Sequence, residues 1–163
     1  MIIIKIMNIK SFSFVIILVM SFYYSYSQTS PDEIKEIISN SLAGGNMTVY
    51  YKKSKIPRVL RKSLAEEFGG NFRIANPNKQ YRKTDVVRNP FLPTRQMVFL
   101  ITINNYYLFV FKQGGRGHST YFVFSEVVNN TVSQINMFNV RNSITALPDL
   151  IQAIELNKIY PIE

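Results

Sequence analysis

Residues 96–111 read QMVFLITINNYYLFVF, and this stretch decides the fold. Residues 96–103 are nearly all apolar and rich in the branched and aromatic side chains that suit a pleated strand. Asn104-Asn105 interrupts the run, and residues 106–111 resume it. Two β-prone runs separated by two asparagines predict a hairpin with a tight turn. Working outward, Gln113-Gly114-Gly115-Arg116-Gly117 predicts a second turn and residues 120–128 a third strand. Asn129-Asn130 turns the chain again, and residues 131–140 alternate in character along a fourth strand. Four strands with short connections predict an antiparallel meander. The unbroken apolar runs imply that both faces of the sheet are covered.

Helices flank this meander. Ser30-Pro31-Asp32-Glu33 combines a capping serine, a first-turn proline and an acid three residues after the serine. Ile34, Ile37, Ile38 and Leu42 follow at helical spacing, and Gly44-Gly45 ends the pattern. A second helix is expected after Pro57, with Val59, Leu60, Leu64 and Phe68 on one face and Arg58, Arg61, Lys62, Glu66 and Glu67 mostly on the other. A third is expected over residues 148–156. Residues 47–51 and 71–75 have the character of short strands. The expected class is α+β: a four- to six-stranded antiparallel meander with N-terminal helices and a C-terminal helix packed on it. Helices at the two ends of the chain would cover one face, and the 71–95 segment or a partner the other.

Residues 1–27 read as an export signal. Lys5 and Lys10 precede an apolar stretch at residues 12–22, and Ser25-Tyr26-Ser27 presents small residues where a signal peptidase cuts. The apolar core is too short to span a bilayer comfortably. The mature chain, residues 28–163, is then one α+β domain, periplasmic or extracellular, with no further membrane span. The chain has no cysteine, which excludes disulfides, thiolate metal sites and cysteine nucleophiles. Its single histidine excludes a multi-histidine metal site. No cofactor is implied.

The formal charge is +9, or +7 without Lys5 and Lys10. It is concentrated. Residues 52–95 hold twelve bases and three acids, Glu66, Glu67 and Asp85, so this segment is +9 and the rest of the mature chain −2. Such separation attracts polyanions or anionic surfaces. Lys52, Lys53, Lys55, Arg58, Arg61, Lys62, Arg82 and Lys83 are the candidate binding residues. Residues 76–94, with three prolines, form a long connection of the kind that carries function. Tyr106, Tyr107, Phe109, Phe111, Tyr121, Phe122 and Phe124 alternate along two strands; one set must face a core, and the other could stack on bases or sugars.

The catalytic alternative centres on His118, the natural proton-transfer group near neutral pH, at a hairpin tip. The order of an acid, then Arg88 and Arg95, then a hairpin, then His118 is loosely similar to the barnase-like bacterial ribonucleases. The resemblance covers residues 85–122 and rests on residue types. It implies Asp85 or Glu67 as base, Arg88 and Arg95 as phosphate clamp and His118 as acid, in a small metal-independent hydrolase. The glycine run lacks the lysine and helix of a phosphate loop, and no serine elbow is present. The first expectation is an exported, non-enzymatic binding or interaction domain whose basic surface meets an anionic envelope polymer, a membrane surface, nucleic acid or an envelope protein. A ribonuclease-like hydrolase and a structural subunit of an envelope assembly are the alternatives.

Overall fold

The computed structural model describes residues 29–85, 89–115 and 117–162. The export signal, Arg88 and Arg116 therefore lie outside the described residues. Three helices are present among them: α1 (Pro31–Gly44), α2 (Arg58–Glu67) and α3 (Leu147–Glu155). The strands are β1 (Met47–Tyr50), β2 (Ile74–Ala75), β3 (Arg95–Ile103), β4 (Tyr106–Gln113), β5 (Ser119–Val128), β6 (Thr131–Val140) and β7 (Ile159–Pro161). They form one seven-stranded sheet in the order β1-β3-β4-β5-β6-β7, with β2 pairing β3 in parallel and every other pair antiparallel. The α+β meander expected from the sequence is present. The short strand expected at 71–75 narrows to β2, and β7 is an addition that the sequence pattern did not indicate.

Local chemistry sets the element boundaries. Ser30 Oγ accepts the Glu33 amide at 3.2 Å, and Gly45 closes α1 at φ 69°. Asn129 and Asn130 both adopt positive φ (50° and 59°), as a primed two-residue hairpin turn requires. A short 3₁₀ turn at Lys53–Lys55 carries the chain from β1 towards α2.

The core has two halves, one on each side of the sheet. Ile34 and Ile38 of α1, with Leu150, Ala153 and Ile154 of α3, cover Phe99, Ile101, Leu108, Val110, Phe122, Phe124 and Phe138. Leu60 and Leu64 of α2, with Ile56, Phe72 and Ile74, cover Met97, Leu100, Phe109, Phe111 and Val123. The second face is thus roofed by α2 and the 72–74 segment within this chain. A register shift between Met97 and Phe99 makes this possible. Strict alternation would send those two side chains to one face; the bulge sends Met97 to the α2 side and Phe99 to the other.

Both sets of strand aromatics are interior. Phe109, Phe111, Phe122 and Phe124 are fully buried. Under α2, Phe111 stacks on Tyr121 with centroids 5.1 Å apart, and Phe68 meets Phe111 edge-on at 5.8 Å. These rings fill the space between sheet and helix, so the alternating aromatics form no exposed stacking platform.

Candidate functional site

A polar cleft lies at the end of the sheet where β3 and β5 begin and β4 and β6 end. The register aligns Gln96, Lys112, Thr120 and Val140 across four adjacent strands, on the face that also carries Val110 and Phe122. Lys112 lies two residues beyond the buried Val110 and so shares its face.

The segment before β3 folds back over this end. Arg82 donates its amide to Pro93 O at 2.8 Å, Gly115 to Lys83 O at 3.2 Å and Gly114 to Thr94 O at 2.9 Å. The Gln96 side chain donates to Lys79 O at 2.6 Å. The contact at Gly114 is backbone on backbone: a Cβ there would strike the Arg82 carbonyl and lie 2.7 Å from Lys83 Cα. Glycine at 114 is therefore a condition of the cleft. The Tyr81 ring is buried beneath the crossing, only 7% exposed. Burial raises the pKa of its hydroxyl above the ordinary phenol value, so it stays protonated at neutral pH. That hydroxyl lies 3.4 Å from Nδ1 of His118, and the two rings meet edge-on at 6.2 Å.

The cleft has two adjoining chambers. One, about 300 Å³, is lined by Tyr81, Lys83, Lys112, His118, Ser119, Thr120, Val140, Arg141, Asn142 and Ser143. The other, about 400 Å³, is lined by Asn78, Lys79, Gln80, Tyr81, Lys83, Gln96 and Lys112. Tyr81, Lys83 and Lys112 line both, so the chambers form one groove. Lys79, Lys83, Lys112 and Arg141 contribute positive charge, and among the described residues no aspartate or glutamate lines either chamber. Hydroxyls and amides from Ser119, Thr120, Asn142 and Ser143 supply hydrogen bonds. A concave surface of one charge sign focuses the field on an incoming anion.

Of the candidate residues, the structure brings Lys83 and His118 to this groove. Lys52, Lys53, Lys55, Arg58, Arg61 and Lys62 lie instead along the 3₁₀ turn and α2, where all are exposed. Several contact their own chain. Lys53 donates its amide to Asn76 Oδ1 at 2.8 Å and its ammonium to Ile74 O at 3.3 Å. Arg61 donates to Lys53 O at 2.9 Å, Lys55 sits 5.5 Å over the Tyr50 ring, and Lys62 pairs with Glu66 at 3.8 Å. Arg82 is half-buried with its backbone bound to Pro93.

Arg95 is not in the groove. It is 8% exposed, with its guanidinium 4.2 Å from the Phe68 centroid and 5.1 Å from that of Phe72. It donates to Gln113 Oε1 at 3.1 Å and to Asn71 O at 3.2 Å. Burial lowers its pKa below the ordinary guanidinium value, against an opposing effect of Tyr121. Arg95 is thus part of the packing beneath the end of α2. Asp85 lies beside Gly115, and Glu67 lines a different cavity, at the outer edge of β6.

Lys112, Arg141 and Tyr81 were not singled out by sequence reasoning, which followed the local density of charge. A usable signal did exist. In a meander, the end of β4, the start of β5 and the end of β6 meet at one place, so Lys112, His118 and Arg141 could have been grouped by topology. Among the described residues, no cluster of three or more His, Asp or Glu side chains could hold a metal ion, and no helix is long and apolar enough to cross a membrane. No protein-family model matches the chain, and neither does any curated protein or solved structure.

Proposed function

We propose that the protein is an exported, non-enzymatic binding domain that holds an anionic polymer in the groove between residues 78–83 and the end of the sheet. One observation carries the reading: Lys79, Lys83, Lys112 and Arg141 share a groove with His118, and among the described residues no carboxylate lines it. An anion entering it meets these cations and the neutral donors beside them. Its two chambers adjoin through Tyr81, Lys83 and Lys112, which suits a chain of repeated charges. Export rests on the basic start, short apolar core and small-residue site of residues 1–27.

Hydrolysis of the ribonuclease type would need a carboxylate base within reach of the same phosphate as His118. Among the described residues the groove lining offers none, which favours binding over cleavage. Elution from a heparin column in a salt gradient tests the proposal, since binding through several cations releases counterions and weakens steeply with salt. The double variant Lys83→Gln/Lys112→Gln should elute well before the wild type with an unchanged melting temperature. Equal elution of the two folded proteins would refute the groove as the site.

A further inference from the structure

β1 and β2 both pair with β3 on the side away from β4, and this edge carries a feature that the groove does not use. Tyr51 follows Tyr50, which pairs with Leu100, and Arg73 precedes Ile74, which pairs with Arg95. The two residues thus lie along one edge, about 15 Å apart at the usual rise of a strand. Lys52 and Lys53 stand between them: the Lys53 amide donates to Asn76 Oδ1 at 2.8 Å and its ammonium to Ile74 O at 3.3 Å. Past Arg73 comes the turn at residues 89–93, held there because the Arg73 guanidinium donates to Phe91 O. Tyr51, Lys52, Lys53, Lys55 and Arg73 are all exposed. Residues 51–62, 71–80 and 89–95 contain no aspartate or glutamate.

Aromatic rings mark the two ends of this line of bases. Phe91 is 81% exposed and Tyr51 56%, the two most exposed large hydrophobic side chains among the described residues. A single exposed ring is ordinary, but the backbone beneath Phe91 is not. Pro90 and Pro93 have no N–H. The Phe91 amide donates to Asn89 Oδ1 at 3.0 Å, and the Leu92 amide to Asn89 O at 3.3 Å. The Phe91 carbonyl accepts from Arg73 and the Pro93 carbonyl from the Arg82 amide. From residue 90 to residue 93, every backbone N–H is therefore absent or already bonded. Such a tip enters an apolar phase without stranding a donor, which is the condition a lipid interior imposes. A hydrated polymer imposes no such condition and offers the ring no apolar phase.

We propose that this edge docks on an anionic lipid surface. Phe91 inserts below the headgroups, Tyr51 sits at their level, and Lys52, Lys53, Lys55 and Arg73 meet the lipid phosphates. The bases supply an attraction that salt screens within a Debye length, and the rings supply a contact that salt does not screen. Neither part is strong alone, so the attachment is reversible. The residues are not those of the groove, so the edge holds a lipid surface whether or not the groove holds a polymer.

The chain has no tryptophan, so Phe91→Trp places a single reporter at the tip. With vesicles of phosphatidylcholine and phosphatidylglycerol, mixed two to one, its emission should move to the blue and be quenched by brominated acyl chains. With phosphatidylcholine alone it should do neither. Leu156→Trp, at an exposed position after α3, should respond to neither kind of vesicle. Cosedimentation on the protein recovered after export measures the affinities. Phe91→Ser should weaken binding to the mixed vesicles at least about fivefold, and Lys52→Gln/Lys55→Gln at least about tenfold, both with the wild-type melting temperature. Lys83→Gln/Lys112→Gln should bind these vesicles within about twofold of the wild type, which separates the edge from the groove. An unmoved spectrum at position 91, an equal response at position 156, an equal response to phosphatidylcholine alone, or unchanged binding by Phe91→Ser would each overturn the proposal.

Discussion

Single residues set both the shape of the groove and the conditions under which the domain is stable. Gly114 has no substitute where the backbone of residues 82 and 83 crosses it. Gly114→Ala should cost about 1–3 kcal/mol, the usual range for overpacking a filled site, seen as a drop of several degrees in melting temperature. Heparin affinity should fall with it, because the same clash lifts Lys83 from the groove. An unchanged melting temperature would mean that residues 81–83 do not rest on Gly114. Asp149 acts at the start of α3. Its carboxylate accepts from Thr145 Oγ1 at 2.6 Å and from the amides of Thr145 and Ala146 at 2.8 and 3.0 Å. The Thr145 hydroxyl first, and then the two amides, hold its pKa below the ordinary value of 3.8. A depressed carboxylate stabilises the fold above its unfolded-state pKa and loses that contribution as pH falls through the folded one. Wild type should therefore melt above Asp149→Asn at neutral pH, with the difference shrinking only as pH drops below about 4. A difference in melting temperature that persists unchanged at pH 2 would refute this role.

Among the elements, α2 links the fold to the reading of the sequence. Leu60 and Leu64 point into the aromatic layer and are fully buried, while Arg58, Arg61 and Lys62 remain exposed. Leu64→Ala should cost about 2–5 kcal/mol. Lys62→Gln should leave the melting temperature almost unchanged, because an exposed i,i+4 pair contributes little. Denaturant unfolding of the two variants measures the contrast, and similar losses would mean that α2 is held by its charges. This helix was legible because its apolar positions repeat at 3.6 residues, just as the four long strands were legible from their β-prone runs and paired asparagines. Its place over the second face was not legible, since amphipathicity names a buried stripe without naming its partner. The bulge at 97–99 was also hidden, because one extra residue in an all-apolar run leaves no pattern. β2 and β7 are too short to carry periodicity. The groove was read only in part. His118 and Lys83 stood out by residue type, but Lys112 and Arg141 are far apart in sequence and meet only through strand order. Arg95 misled because arginine signals an anion partner from sequence, whereas here its flat guanidinium packs on Phe68 and Phe72 and its hydrogen bonds go to Gln113 and Asn71.

At the scale of the whole molecule, the question is which of two basic surfaces governs attraction. The α2 side carries more bases, but they are exposed and several contact their own chain. The groove carries fewer and concentrates them in a concave setting where, among the described residues, no carboxylate stands. Charge on an exposed, solvated surface is screened within about 8–10 Å at ordinary ionic strength, whereas charge lining a cleft acts together on whatever enters it. The two surfaces should therefore separate in their salt response. Lys79→Gln/Lys83→Gln/Lys112→Gln should lower the slope of log affinity against log salt by about two to three for a heparin or nucleic-acid chain, one unit for each lost contact. Lys52→Gln/Lys55→Gln/Arg58→Gln removes the same charge from the α2 side and should change the slope by less than about one. Both triple variants should retain the wild-type circular dichroism spectrum, since exposed bases add little to folding. Equal slopes for the two variants would show that net charge alone attracts the polymer. A larger loss on the α2 side would move the binding surface to residues 52–58 and leave the groove without its assigned role.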